Sequence, residues 1–211
     1  MPAYRSSAEA EIREAVVAHC RLIIPGCRII NEVNAASFGN RIDVLAVGET
    51  DLLAVEIKSA KDKLDRLPEQ IKAMRSVSNH VFAALHEKFL TPPQGHMHWM
   101  LPDAARGAIV WTYPRIERKG HVECSDTWFS FDRWAKPKKC LPTGAIGMLW
   151  REELHELCSG LGIRGVTKLT MEEAIDAIRW HMTGEQVTRT ICATLRRRQC
   201  AEADPAIEVA A

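Results

Sequence analysis

No stretch of this 211-residue chain approaches the ~18 consecutive apolar residues that a membrane span needs. The opening "MPAYRSSAEAEIREAV" carries acids and no apolar core, so it does not read as a secretory signal. There is no CxxC pair. The cysteines, Cys20, Cys27, Cys124, Cys140, Cys158, Cys192 and Cys200, are odd in number and irregular in spacing. That argues against a disulfide framework and for reduced thiols in a cytoplasmic compartment. A glycine-rich phosphate loop is missing too, which disfavours a nucleotide-binding protein. No internal repeat is visible. What remains is a globular composition, 46% apolar and 26% charged. Net charge is only +1 and unevenly spread: residues 1–135 balance, residues 136–200 carry a net +4, and the last eleven carry three acids and no base. A neutral body with a mildly basic C-terminal segment permits nucleic-acid contact without demanding it.

The periodicity predicts an α/β protein. Residues 7–22 read as an amphipathic helix, capped by Ser6 or Ser7, with Ile12, Val16 and Cys20 on one face and Pro25-Gly26 ending it. Strands are expected at 27–34, 41–47 and 52–58, the last two joined as a hairpin around "GETD". A helical stripe, Leu64, Leu67, Ile71 and Met74, follows over 62–78, and Pro68 can mark its true start. Further strands are expected at 80–85, 97–101 and 108–113, with a hairpin over 115–124. The core is thus placed at 1–135, a Pro-, Lys- and Gly-rich linker at 136–145, and a helical module at 146–200 with helices at 146–158, 170–182 and 184–199. Residues 201–211 read as a disordered acidic tail.

One polar constellation stands out against this frame. In "LLAVEIK" (52–58), side chains alternate, so Glu56 and Lys58 share a face of an otherwise apolar strand. If 41–47 pairs with 52–58, Asp43 comes opposite Glu56. Two carboxylates buried together repel and one must rise in pKa. A hard divalent cation, Mg²⁺ or Mn²⁺, resolves the conflict, with the Ile57 carbonyl as a further ligand. Lys58 beside it can orient or deprotonate a water, a set suited to phosphodiester hydrolysis.

Asp43, then Glu56-Ile57-Lys58 after an apolar strand, then a helix carrying Gln70, resembles the PD-(D/E)xK, restriction-endonuclease-like nuclease superfamily. The stretch "RIDVLAV…LLAVEIKSAKDKLDRLPEQIKAM" is similar to a bacterial and phage branch of nucleases and DNA-repair proteins. The similarity covers residues 7–113 and is strongest over 41–74. It implies a mixed central sheet flanked by helices and a metal-dependent deoxyribonuclease serving repair, restriction or phage DNA processing. It implies that Asp43 and Glu56 bind the ion, that Lys58 is catalytic, and that Gln70 supports the site. An acid of the first helix assists; Glu9 is the choice over Glu11 and Glu14 because it shares a face with Ile12 and Val16. Ser59, Asp62 and Arg66 match the branch pattern, Arg66 as a nucleic-acid contact. The superfamily's Pro is absent, since Asn40-Arg41-Ile42 precedes Asp43.

Other stretches compete with this one. Pro102-Asp103 with Glu117-Arg118-Lys119 matches the motif's letters better, but Pro114 interrupts the strand and a glycine turn leaves those charges solvated. His96 and His98 share a strand face without a partner at ligand spacing. Trp99, Trp111 and Trp128 suit base stacking, though packing explains them better. Residues 149–182 faintly resemble a SAP-like DNA-binding module, a spacing that any two packed helices also give. Arg196, Arg197 and Arg198 can contact phosphates or simply complement a helix C-terminus. DNA is the partner implied, no membrane is expected, and a homodimer stays open. The alternative is an inactive nuclease-fold module that binds nucleic acid or a protein.

Overall fold

The computed structural model describes residues 7–35, 39–91, 100–113 and 140–207. Helix α1 (Ser7–Ile23) leads into strands β1 (Arg28–Asn34), β2 (Arg41–Val47) and β3 (Leu52–Lys58). Helix α2 (Leu67–Val77) crosses over to β4 (His80–His86), and β5 (Ile109–Tyr113) follows. Helices α3 (Arg151–Gly160), α4 (Met171–His181) and α5 (Gly184–Arg197) come last. The strands form one open sheet in the order β1-β2-β3-β4-β5. It is antiparallel from β1 to β3 and parallel from β3 to β5. The molecule is therefore α/β with a mixed sheet, as the sequence pattern predicts. No helix among the described residues is long and apolar enough to cross a membrane.

Both faces of the sheet are covered, which is why all of β3 is buried. Ile12, Val16 and Cys20 of α1 pack on Val44, Val55, Ile57 and Trp111. On the other face Leu67, Ile71 and Met74 of α2 pack on Leu45, Leu52 and Ala54. Leu154, Ile178, Ile191 and Leu195 from α3, α4 and α5 join that same cluster. The C-terminal helices thus share a core with the sheet and are not a separate module; residues 136–139 of the expected linker lie outside the described residues. The apolar stripes of the C-terminal helices find their partner in the sheet, not only in one another. The first of those helices also starts later than expected. Thr143–Met148 is a 3-10 segment, its two glycines being poor helix formers, and α3 begins at Arg151.

The disordered tail is corrected as well over its described part. Asn31 donates to the Glu202 carbonyl at 2.7 Å, and Asp204 donates to Ile29 at 2.9 Å. Residues 201–207 thereby cover part of the outer edge of β1, a row of groups that would otherwise lack partners. The helix expected over 62–78 begins at Leu67, with Pro68 in its first turn where a missing N–H is harmless. Of the strand expected at 97–101, Met100 forms a bridge with Thr91. Leu101 is described and lies outside any strand, whereas residues 97–99, the hairpin at 115–124, His96, His98, Trp99, Cys124, Trp128, Glu117 and Lys119 lie outside the described residues. The six described cysteines are free thiols.

Candidate active site

The site forms where β2 and β3 part. Their pairing ends at Val44↔Val55, so Asp43 and Glu56 are the next residues in line and no longer bridge. The Ile57 N–H, left without a ladder partner, donates to Asp43 Oδ2 at 2.8 Å. In a strand the N–H and C=O of one residue point to the same side, so the Ile57 carbonyl faces the same gap. Glu56 and Lys58 project from the face of β3 that α2 covers. That places Gln70, one turn into α2, against them. Lys58 Nζ lies 2.6 Å from Glu56 Oε1, and Gln70 Nε2 donates to that same oxygen.

Glu56 is 2% exposed and Lys58 is 8% exposed. Burial, and then the charge of Asp43, push the Glu56 carboxyl up to about 8. Burial likewise raises Asp43, against the pull of the Ile57 N–H and the Arg13 charge. Glu56 Oε2 is buried and has no hydrogen-bond partner, and the same holds for Gln70 Oε1. An orphaned buried carboxylate oxygen beside a second carboxylate and a backbone carbonyl is a hard, oxygen-only donor set of the kind Mg²⁺ or Mn²⁺ takes. Among the described residues no group of three or more His, Cys, Asp or Glu gathers in ligand geometry. The set is therefore two carboxylates and a carbonyl, which suits an ion that retains several waters.

Arg13 was missed in the sequence and proves central. It is 4% exposed and donates to the Asp43 carbonyl at 2.6 Å, Glu9 Oε1 and Glu32 Oε1 at 2.9 Å, and Asn31 Oδ1 at 3.2 Å. Glu9 does reach the site, as an ion-pair partner of Arg13 at its rim. Glu32 stands opposite Asp43 where the β1–β2 register passes from Asn31↔Val44 to Val33↔Ile42, and has a left-handed φ of 56°. For a non-glycine residue inside a strand that is strain, and it sits where the β2 backbone is held by a guanidinium instead of a ladder. The signals available were an i, i+4 Glu-Arg pair on the buried face of α1 and the one acid of β1, Glu32.

These groups floor an open cleft of about 770 Å³ that holds Glu9, Asp43, Glu56, Ile57, Lys58, Arg66 and Gln70 together. Arg41, Lys61, Lys63 and Arg66 are exposed on its rim. Asp62 and Asp65 are exposed on the same rim, Asp62 accepting from Ser59 N at 2.7 Å and Ser59 Oγ at 2.6 Å. Arg196, Arg197 and Arg198 are not brought there. Arg198 is 7% exposed, locked to Glu153 at 2.5 Å and to the Met148 carbonyl at 2.9 Å, so its expected phosphate contact is corrected to a structural one. Of the competing Pro102-Asp103 match, Asp103 is exposed and pairs with Arg106. Trp111 is core, packed on Phe82.

A family model described as Bacteriophage P4 protein cII matches residues 3–92, the stretch from α1 to just past β4 that contains the whole cleft floor. No curated protein and no solved structure matches the chain.

Proposed function

We propose that the protein is a divalent-metal-dependent nuclease that hydrolyses DNA phosphodiester bonds, built on a restriction-endonuclease-like core. The observation that carries this reading is Glu56: a buried carboxylate with one orphaned oxygen, beside Asp43 and in contact with Lys58, at the floor of an open cleft with a cationic rim. Asp43, Glu56 and the Ile57 carbonyl would hold Mg²⁺ or Mn²⁺. Bound there, the ion supplies Lewis-acid neutralisation of charge at the scissile phosphate. The chain's own groups do the rest. Lys58 orients the attacking water and offsets negative charge with its ammonium. Gln70 fixes the Glu56 carboxylate, and Arg13 with Glu9 fixes the backbone that carries Asp43. Arg41, Lys61, Lys63 and Arg66 contact the phosphates on either side, positioning the strand without reading its sequence. The similarity of residues 3–92 to a phage protein family agrees with a role in phage DNA processing.

The test is incubation with single- and double-stranded DNA and Mg²⁺ or Mn²⁺. Wild type cleaves; Asp43→Ala and Lys58→Ala lower the rate at least ~10²-fold, as loss of a charge-stabilising or proton-handling group does. Cleavage that persists in either variant removes the assignment. One observation favours the second reading, an inactive module that binds nucleic acid or a protein: the Lys58–Glu56 ion pair already neutralises the carboxylate internally. That reading predicts binding without cleavage and no rise in Tm with divalent ions, whereas an ion that binds the native state must raise it.

A further inference from the structure

Next to the cleft lies a second groove of about 490 Å³, and Asn34 at the end of β1 lines both. Trp150, which is 49% exposed, lines this groove. The ring is not loosely placed. The Trp150 backbone N–H donates to Glu153 Oε2 at 2.7 Å, and the ring lies on the Arg198 guanidinium at 4.4 Å. Arg198 is itself immobilised by both carboxylate oxygens of Glu153, at 2.7 and 2.5 Å, and by the Met148 carbonyl. One face of the indole is thus backed by a fixed cation while part of the ring stays open to solvent. A large aromatic left half exposed, and held rigid by a buried ion pair, pays little entropy on stacking.

We infer that this groove binds unpaired nucleotides of the strand that enters or leaves the cleft, with Trp150 as the base-stacking platform. The inference rests on the nucleic-acid reading of the cleft and extends it to substrate class: DNA with a single-stranded segment, not uninterrupted duplex. Continuity through Asn34 supplies the path. Every base has a π-face, so the platform tolerates any sequence, whereas bases inside a duplex are already stacked and cannot reach it. Arg151, at the start of α3, lines the same groove and offers a cation to the phosphate beside a stacked base.

Anisotropy of a short labelled oligothymidylate, an abasic oligomer of equal length and a blunt duplex, titrated with the full chain in EDTA, tests this. Trp150→Ala is expected to weaken oligothymidylate binding about tenfold, and Trp150→Phe to recover most of it. The wild type should bind the abasic oligomer about as weakly as the alanine variant binds oligothymidylate. Duplex affinity should change much less. Equal affinity of the wild type for oligothymidylate and abasic oligomer overturns the inference, as does an alanine variant that binds like wild type or a wild type that binds no oligothymidylate. Thermal unfolding of Trp150→Phe controls for folding. Cleavage with Mn²⁺, assayed on the same preparations and on Lys58→Ala, separates the two readings. Trp150-dependent binding without cleavage keeps the platform and removes the hydrolase; cleavage with no Trp150 dependence does the reverse.

Discussion

Glu56 sets burial against charge at the floor of the cleft. Its carboxyl is ordinary, near 4.5, in the unfolded chain and rises to about 8 on folding. A raised carboxyl binds a proton in the native state that the unfolded state has lost, so its stabilisation is complete below about 4.5 and disappears as pH climbs through about 8. Asp43 shifts in the same direction and adds to the effect. In EDTA, Tm should therefore fall between pH 5 and 8. Glu56→Gln should flatten most of that fall, and saturating Mn²⁺ should reverse it in the wild type but not in the variant, since the ion takes the ionised form. A wild-type Tm that is level or rising over this range sinks the electrostatic account. Arg13 gives the complementary experiment. Arg13→Met removes its ion pairs with Glu9 and Glu32, leaves Glu32 its pair with Arg41, and frees the Asp43 carbonyl, a loss of about 3 kcal/mol for a largely buried charge network. Denaturant midpoints measure it, and Arg13→Lys should recover only part, because one ammonium cannot reproduce a fork serving four acceptors. Asp43, Glu56 and Lys58 were legible because strand alternation and hairpin register place them, and Gln70 only through the family resemblance. Arg13 and Glu32 were not, because their meeting depends on α1 crossing the opposite face of the sheet, which no local pattern encodes.

Elements whose ends are marked by chemistry were legible in the same way. Pro68 marks the start of α2, and the polar turn "GETD" marks the β2–β3 hairpin, closed by the Gly48 N–H on the Asp51 carbonyl at 2.8 Å. The 3-10 segment Thr143–Met148 was read instead as linker and helix, because its composition is that of a loop while its role is decided by packing. It presses against the end of α2 so closely that a Cβ on Gly144 would sit 2.5 Å from the Ser76 carbonyl oxygen. Gly160, at the end of α3, has nothing within 4 Å of the same position. Gly144→Ala should therefore cost about 1–3 kcal/mol through forced backbone movement. Gly160→Ala should gain roughly 0.5–1 kcal/mol by cutting the freedom of the unfolded chain. Urea melts of the two variants side by side decide the matter. Equal effects would mean that the joint between α2 and the C-terminal helices is slack.

Whether the chain is one cooperative unit turns on that joint and on Arg28. Arg28 is 1% exposed, and its guanidinium donates to the Leu195 carbonyl at 2.7 Å and the Arg196 carbonyl at 3.0 Å, the last turn of α5. A buried cation at the C-terminus of a helix satisfies carbonyls that the helix cannot, and complements its dipole. Its Nε also holds the Asp204 carbonyl at 3.1 Å, so one residue of β1 ties down both α5 and the segment that follows it. The sequence could not show this. The apolar stripes of α3, α4 and α5 read identically whether they pack on each other or on a sheet, and the linker composition favoured separation. With the sheet as their partner, removing residues 140–211 would strip Ile30, Leu45, Leu52 and Val47 of part of their cover and leave Arg28 without its acceptors. The expectation is a single unfolding transition for the whole chain, with far-UV circular dichroism and tryptophan fluorescence melting together. A fragment ending at residue 139 should fail to fold cooperatively. Two separated transitions, or a 1–139 fragment with a sharp melt and the same Mn²⁺-dependent Tm shift as the full chain, would restore the picture of an independent catalytic core carrying a detachable helical module.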